Sequence, residues 1–341
     1  MAKKKKSDAV ASPSQIDRVM VLELVRVTEA AAIAASALTG RGDEKAADYA
    51  AVEAMRQALN GLEMDGQVVI GEGERDEAPM LYIGERVGTG KGPRIDIALD
   101  PLEGTTLTAK AVANACAVVA LADEGNFLNA PDVYMDKIAI GSGYPDGLID
   151  LDRGPAENIA ALAKAKGVPI GEITVCILDR PRHADLIAQV RASGARIMLI
   201  TDGDVAGIIA TSEPDTGVDL YLGSGGAPEG VLAAAALRCI GGQMQARLTF
   251  RNDDERQRAY RLGITDLNRK YVLEELASGH VIFAATGVTD GTMLEGVKRR
   301  PDGSVWTESV VMRSASGSVR WVKTKHGRDK RLWSPDDVPK A

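Results

Sequence analysis

The sequence predicts a mixed α/β protein, of the α/β or α+β class, for three reasons. Short apolar runs such as "IDIALD", "CAVVAL" and "VIFAATG" have the length and composition of buried β-strands. Alanine-rich stretches such as "ENIAALAKAK" and "GVLAAAALR" lie between several of these runs and predict helices. The chain has 341 residues, of which 45% are hydrophobic, so it is long enough to form two lobes with sizeable cores.

Two helices are predicted near the N-terminus. Residues 16–38 contain neither Gly nor Pro and predict a long helix that ends before Gly40. The second helix is expected from about Glu44 to Asn60, because apolar residues recur there at spacings of three and four. Asp48 lies one turn before that apolar series. An unpaired carboxylate on a core-facing stripe is costly, so a cation is expected beside it.

Strands and helices then alternate along the rest of the chain. The runs that predict strands are "QVVIG", "IDIALD", "CAVVAL", "KIAIG", "TVCILD", "RIMLIT", "VDLYLG" and "VIFAATG". Near the C-terminus, "SASGS" lies between two alternating runs and predicts a hairpin. The Gly- and Pro-containing residues 141–155 are the best candidate for a boundary between a lobe of residues 16–150 and a lobe of residues 151–323.

Both ends of the chain are expected to be tails. Residues 1–15 contain the dense basic run from Lys3 to Lys6 and show no hydrophobic periodicity, which predicts a flexible basic tail. Residues 324–341 are expected to form a C-terminal tail.

Composition and charge exclude several classes of function. The net charge of -7 argues against a general nucleic-acid binder, because Lys and Arg hold phosphate backbones. No run approaches the ~18 apolar residues that cross a membrane, and no hydrophobic segment follows the lysines as in a secretory signal. A cytoplasmic protein without membrane or nucleic-acid partners is expected. Its three cysteines, Cys116, Cys176 and Cys239, lie inside separate apolar runs and are expected to be buried and reduced.

Acidic residues follow several of the predicted strands. These are Glu72 in "VVIGEGERDEAP", Asp100 and Glu103 in "IALDPLEGTT", Asp202 and Asp204 in "LITDGD", and Glu229 in "LGSGGAPEG". Because sites in layered α/β folds form where strand ends meet loops, these carboxylates are expected to converge. Oxygen ligands without nearby His or Cys favour Mg²⁺ or Mn²⁺ over zinc. Gly104 permits a close approach of the backbone to a ligand, and the Thr105 hydroxyl is free to orient a water.

Groups that bind anions occur in the same half of the chain as the later acids. Arg180 and Arg182 flank Pro181 directly after a predicted strand, where two guanidinium groups would form a phosphate clamp. Gly225 and Gly226 precede a predicted helix, and their amides would point at an anion. Each motif alone also fits a surface charge pair or a turn. Their joint occurrence favours a metal-dependent phosphate site.

The motifs "GRGDEKAAD", "IGEGERDEAPMLYIGE", "DIALDPLEGTT", "NAPDVYMDK", "DRPRH", "TDGD" and "GGAPEG", in this order, closely resemble class II fructose-1,6-bisphosphatases of the lithium-sensitive, metal-dependent phosphatase superfamily. The resemblance extends from about Ile16 to Val297. It implies a layered α/β/α/β/α sugar-phosphatase fold, dependence on Mg²⁺ or Mn²⁺, and assembly as a homodimer or homotetramer. It also implies that residues 16–150 bind metal and phosphate and that residues 151–323 bind the sugar phosphate.

The resemblance implies a role for each matching residue. The implied metal ligands are Asp48, Glu72, Asp100, Glu103 and Glu229. The implied catalytic residues are Thr105, which helps to activate the attacking water, together with Glu72 and Asp100. The implied contacts to the sugar bisphosphate are Glu103, Gly104, Thr105, Tyr134, Arg180, Pro181, Arg182, Asp202, Gly203, Asp204 and Gly226.

The function implied is hydrolysis of the C1 phosphate of fructose 1,6-bisphosphate, in gluconeogenesis or Calvin-type sugar metabolism. A sedoheptulose-1,7-bisphosphatase, dedicated or dual, is the second enzyme hypothesis, whereas an inositol monophosphatase would leave the arginine clamp unused. Two hypotheses come from another class: a non-catalytic sugar-phosphate sensor, and a nucleotide-binding protein that uses "GSGGAPEG". The intact acids argue against the sensor, and the glycine spacing does not match the dinucleotide fingerprint.

Overall fold

The structure is a computed structural model that describes residue 16 and residues 20–73 and 80–327. The helices of this described part are α1 (Met20–Ser36), α2 (Glu44–Asn60), α3 (Thr105–Ala109), α4 (Pro155–Lys166), α5 (Ala184–Ser193), α6 (Asp204–Ile209), α7 (Ala227–Ile240), α8 (Asp253–Arg261) and α9 (Leu273–Leu276). Its strands are β1 (Asp65–Ile70), β2 (Arg86–Val87), β3 (Arg94–Glu103), β4 (Cys116–Asp123), β5 (Tyr134–Ile140), β6 (Thr174–Leu178), β7 (Arg196–Ile200), β8 (Leu220–Gly226), β9 (Gln243–Thr249), β10 (Lys270–Val272), β11 (Val281–Gly287), β12 (Lys298–Arg299), β13 (Val305–Arg313) and β14 (Ser318–His326). The mixed α/β prediction is confirmed.

These strands form two mixed sheets. The larger sheet has the order β12-β13-β11-β4-β3-β1-β2, and β14 pairs with β13. The smaller sheet has the order β10-β9-β5-β8-β6-β7. Within the larger sheet β1 and β3 are parallel, whereas β3 and β4 are antiparallel.

Helices and sheets alternate as five layers, which the packing of apolar residues defines. Helices α1 and α2 cover one face of the larger sheet, in a cluster that includes Leu24, Met55 and Ile97. Helix α7, entirely buried along its Ala-rich centre, lies between the two sheets and contacts strands of both. Helices α4 and α5 cover the far face of the smaller sheet, where Ile138 and Leu162 meet. The order is therefore α/β/α/β/α, as the resemblance implies.

Local predictions match the structure closely. Helix α2 spans Glu44–Asn60 as expected, and the buried face of this helix includes Val52, Met55 and Leu59. The hairpin predicted at "SASGS" is formed by β13 and β14, which join through a 3₁₀ turn at Ser314–Ser316. Strand β9 was not predicted, because its buried and half-buried residues alternate and no apolar run marks it. No helix among the described residues is long and apolar enough to cross a membrane.

The predicted lobe boundary at residues 141–155 differs from the division into sheets. Strand β5 precedes that stretch but belongs to the smaller sheet, and the chain returns to the larger sheet at β11. The larger sheet therefore combines both ends of the described chain. Residues 1–15 of the predicted basic tail lie outside the described residues, as do residues 328–341. The predicted C-terminal tail begins within β14, since that strand continues to His326.

Candidate active site

The site is built first on the end of strand β3. In a regular strand, residues three apart point to opposite faces. The pairing of β3 with β4 shifts register between Asp100 and Glu103, and this irregularity turns both side chains toward one cavity. Asp100 Oδ1 accepts a hydrogen bond from the Leu102 amide at 3.0 Å, which holds the turn. Gly104 follows with φ 90°, a left-handed conformation that lets α3 begin at once with Thr105.

A cavity of about 300 Å³ collects most of the predicted acids. Its lining includes Asp48, Glu72, Asp100, Glu103, Gly104, Thr105, Asp202 and Glu229, all predicted as site residues. Asp132 also lines it and was not singled out, although it lies in the quoted motif "NAPDVYMDK". Side chains from α2, from the segment after β1, from β3 and from α7 therefore line one cavity, as the position of strand ends predicted.

Repulsion and burial raise the pKa of every predicted metal ligand. Burial, and then the neighbouring Asp100 carboxylate, raises the pKa of Asp48 to about 6 and that of Glu72 well above its ordinary value. Burial, followed by the charge of Asp204, raises the pKa of Glu229 to about 7. Burial raises the pKa of Asp100, and hydrogen bonding to Glu103 opposes that rise. Burial raises the pKa of Glu103 well above its ordinary value, and the charge of Asp100 and then hydrogen bonding to it add to the rise.

The donor set fits a hard divalent cation. The lining supplies only oxygen atoms as potential ligands, without His or Cys. The Oε2 atom of Glu229 is buried and has no hydrogen-bond partner among the described residues, which is the condition of a ligand atom. Within the same residues, no three acidic, His or Cys side chains yet converge on a single point at ligand distance. The carboxylates line one cavity, and they are the residues that would hold such an ion.

Asp204, which was predicted to contact the sugar, is not among the residues that line this cavity. Its carboxylate is buried and pairs with the fully buried Lys137, at 2.5 Å between Nζ and Oδ2. Lys137 Nζ also donates to the Gly226 carbonyl at 2.7 Å. Lys137 was not predicted as a site residue, although a lysine inside an apolar strand is an unusual feature of the sequence. This ammonium group lowers the pKa of Glu229 against the stronger effects of burial and Asp204.

Gly225 and Gly226 are explained by the carboxylates beside them. A Cβ atom at Gly225 would collide with the Asp204 carboxylate, and one at Gly226 would collide with Glu229. Gly226 has φ -62° and ψ 143°, which any residue adopts, so the requirement for glycine there is space and not backbone conformation.

Arg180 and Arg182 lie on either side of Pro181, the first residue of a 3₁₀ turn that ends at His183. They engage different groups and do not form a single fork. Arg180 Nη2 lies 3.6 Å from Asp202 Oδ1 at the edge of the cavity. Arg182 donates from Nε and Nη2 to the Ser224 carbonyl, at 3.0 and 2.8 Å.

Tyr134 and Gly203 complete the predicted contacts. The guanidinium of Arg182 lies over the Tyr134 ring, 4.8 Å from its centroid. Gly203 has φ 82° and precedes α6, and its amide donates to Asp202 Oδ1 at 3.2 Å. The backbone holds the buried His183 ring: its Nε2 accepts from the Ser224 amide, so Nδ1 donates to the Leu178 carbonyl.

Comparison with known proteins identifies the family of the chain. Residues 18–326 match the model of the bacterial fructose-1,6-bisphosphatase family described as glpX-encoded. The chain is 46% identical over 327 residues to the Escherichia coli protein named fructose-1,6-bisphosphatase 1 class 2, covering 92% of this chain and 97% of that relative. The Shigella flexneri class 2 enzyme gives the same values. The chain belongs to the class II fructose-1,6-bisphosphatases. The family is one of metal-dependent phosphatases, in agreement with the acidic cavity.

Proposed function

We propose that this class II fructose-1,6-bisphosphatase hydrolyses the C1 phosphate of fructose 1,6-bisphosphate to fructose 6-phosphate and inorganic phosphate. The observation that carries the proposal is the cavity that unites Asp48, Glu72, Asp100, Glu103 and Glu229 with the Thr105 hydroxyl. Arg180 lies beside Asp202 at the edge of the cavity, and Arg182 lies over the Tyr134 ring. These two cations suit a substrate that carries a second phosphate.

We further propose that Mg²⁺ or Mn²⁺ is the cation, held by those five carboxylates. When bound, such an ion neutralises phosphoryl charge and lowers the pKa of bound water. The choice between the two metals is open to titration, since both prefer oxygen ligands.

The protein's own groups would position water and phosphate. Thr105 occupies the first position of α3, where its hydroxyl can orient a water toward phosphorus. The raised pKa of Glu72 suits that carboxylate to accept a proton from the same water. The water oxygen forms a bond to phosphorus while the bond between phosphorus and the C1 oxygen breaks, and the leaving alkoxide takes up a proton. Arg180, Arg182 and Tyr134 would hold the phosphate that is retained.

Sedoheptulose 1,7-bisphosphate is a second candidate substrate, alone or together with fructose 1,6-bisphosphate. The acidic cavity would contact only the phosphate that is removed. One additional hydroxymethylene group in the sugar would therefore not change the contacts in this cavity. Measuring the release of inorganic phosphate from each bisphosphate and from inositol 1-phosphate separates these activities. A parallel assay with EDTA shows whether the release depends on a metal ion. Metal-dependent binding without phosphate release from any of these substrates would instead favour the sensor.

Asp100→Asn is the decisive variant for the site. It removes a charge from the centre of the cavity while retaining side-chain volume and the hydrogen bond from the Leu102 amide. We expect kcat to fall at least about 100-fold with an unchanged circular dichroism spectrum. Asp253→Asn is the matched control, because Asp253 is 92% exposed on α8. Wild-type turnover in Asp100→Asn would contradict the assignment.

We also propose that the chain forms a homo-oligomer in which β7 pairs with β7 of a second copy. Strand β7 is an edge of the smaller sheet and exposes the apolar residues Met198 and Leu199, at 36% and 40%. An exposed apolar edge invites strand pairing unless charge, proline or a bulge blocks it. Among the described strands, the edge strands β2, β10 and β12 have only two or three residues. Strand β14 carries Arg320, Lys323 and Lys325, whose charges disfavour pairing with another chain.

Analytical ultracentrifugation tests this interface. Leu199→Lys is expected to shift the protein toward monomers, because a charge would then lie in the middle of the paired edge. Val112→Lys is the control, since Val112 is 43% exposed elsewhere. An unchanged sedimentation coefficient for Leu199→Lys would exclude β7 as the interface.

The bacterial metabolic relatives and three free cysteines support the expected cytoplasmic location, which cell fractionation tests.

A further inference from the structure

A second arginine, Arg251, contacts the Tyr134 ring and was not predicted as a site residue. The guanidinium of Arg251 lies 5.0 Å from the centroid of the Tyr134 ring, and that of Arg182 lies 4.8 Å from the same centroid. Strand β5 begins at Tyr134, which pairs with Gly226 of β8 on one side and with Thr249 of β9 on the other. Two cations from distant parts of the chain are therefore gathered on one aromatic ring.

Arg251 is held in position by a carboxylate. Glu255 is completely buried, and its Oε1 accepts from Arg251 Nε at 2.6 Å, with Nη2 at 2.5 Å. Its Oε2 accepts from the Arg251 amide at 2.7 Å. Both contacts use one edge of the guanidinium, so the Nη1 edge faces away from Glu255. The Arg251 side chain is 61% exposed, which leaves that edge accessible to solvent.

Tyr134 connects this pair of arginines to the acidic cavity, because it pairs with Gly226, which lies directly against the Glu229 carboxylate of that cavity. The pKa of Arg251 is raised chiefly by the hydrogen bond and charge of Glu255, and in part by Tyr134 and by Asp132, which lines that cavity. The site thus has an acidic end that suits metal ions and a basic end with Arg182 and Arg251. A substrate with a phosphate at each end of a sugar matches this separation of charge, whereas a monophosphate would leave the basic end unused.

We propose that Arg251, together with Arg182, binds the phosphate that the enzyme does not hydrolyse, and that the Tyr134 ring between them sets the width of this subsite. This inference rests on the proposed function for the identity of the substrate. Its test uses fructose 6-phosphate, which carries only the retained phosphate, so that binding is measured without turnover.

Arg251→Gln removes the charge and keeps much of the side-chain length. We expect the dissociation constant of fructose 6-phosphate, measured by calorimetry with Mg²⁺ present, to rise about 10- to 100-fold. KM for fructose 1,6-bisphosphate should rise similarly, kcat should change less than about threefold, and inhibition by inorganic phosphate at the acidic end should stay unchanged. Arg251→Lys should recover part of the loss. Arg256→Gln is the matched control, since Arg256 pairs on the surface with Asp253.

A purely structural role for Arg251 makes a different prediction. If it serves only to neutralise the buried Glu255, the double variant Arg251→Gln/Glu255→Gln would restore both thermal stability and binding. We expect the double variant to recover stability without recovering fructose 6-phosphate affinity. Wild-type affinity in Arg251→Gln, or recovery of affinity in the double variant, would overturn the proposal. Absence of turnover in the wild type would instead refute the proposed function and leave the Arg251-dependent binding measurable.

Discussion

Replacement of Lys137 by Met removes the one Lys or Arg that is fully buried in the described part of the chain. Lys137 Nζ contacts the Asp204 carboxylate at 2.5 Å and the Gly226 carbonyl at 2.7 Å, and its side chain is 0% exposed. Methionine has a similar length and no charge, so packing is largely kept. The variant therefore leaves Asp204 as a buried carboxylate without its cation.

Loss of one member of a buried ion pair costs roughly 3–5 kcal/mol, because the remaining charge is desolvated and unpaired. The whole free energy of unfolding of a typical domain is about 5–15 kcal/mol. We therefore expect Lys137→Met to lower the free energy of unfolding by several kcal/mol, a loss that urea unfolding followed by circular dichroism measures readily.

Two further variants decide whether charge is the cause. Lys137→Met/Asp204→Asn removes both charges and should recover a substantial part of the lost stability, because no unpaired carboxylate remains. Lys166→Met is the matched control: Lys166 pairs with Asp219 at the same distance of 2.5 Å but is 39% exposed, so its loss should cost about 1 kcal/mol or less.

Lys137→Met as stable as Lys166→Met would contradict this explanation. So would a double variant whose loss of unfolding free energy equals the sum of the losses of Lys137→Met and Asp204→Asn. A functional consequence follows from the same charge. Lys137 lowers the pKa of Glu229, which burial and Asp204 raise to about 7. Its removal should therefore shift the acidic limb of the pH profile of kcat/KM to higher pH in any variant that remains folded.

Three other predictions concern the site and the thiols. Gly226→Ala should weaken metal binding about 10- to 100-fold by displacing Glu229, measured by metal titration, whereas Gly154→Ala, with a similar backbone conformation and open space around it, should not. With EDTA present, the free energy of unfolding should decrease as the pH rises from about 4 to about 7. Asp48 and Glu229 have higher pKa values in the folded than in the unfolded state, so the native state binds more protons in this range. Added Mn²⁺ should stabilise the protein more at pH 8 than at pH 5, and a stability that rises with pH under EDTA would contradict this. The buried cysteines, with pKa values of about 12 for two of them, should not react with a thiol reagent until the protein unfolds; rapid native labelling would show otherwise.

Local patterns in the sequence were sufficient for most of the elements and for the acidic cavity. The periodicity of α2 gave both of its ends, and carboxylates placed after strands did meet in space. The carboxylates meet because the loops that follow the strands lie at the ends of the sheets, and this holds for many different orders of strands. Asp48 likewise faces the cavity from the helix stripe where a cation was expected beside it.

Features that depend on distant pairing were not accessible in this way. The return of the chain to the larger sheet at β11 is a choice of strand partner, and no motif encodes it. Arg251 reaches Tyr134 only because β9 lies beside β5. The directions of Arg180 and Arg182 depend on their acceptors, Asp202 and the Ser224 carbonyl, which belong to other elements.

The glycine-rich segment before α7 shows how one motif can have a second physical explanation. Its sequence suggested backbone amides that point at an anion. The structure instead gives a steric reason for the glycines: the carboxylates of Asp204 and Glu229 occupy the space that side chains at Gly225 and Gly226 would fill. The Gly226 carbonyl in turn accepts from Lys137, so the segment connects the buried cation to a carboxylate of the cavity. Space for carboxylates is therefore sufficient to require glycine here, whether or not the amides also contact phosphate.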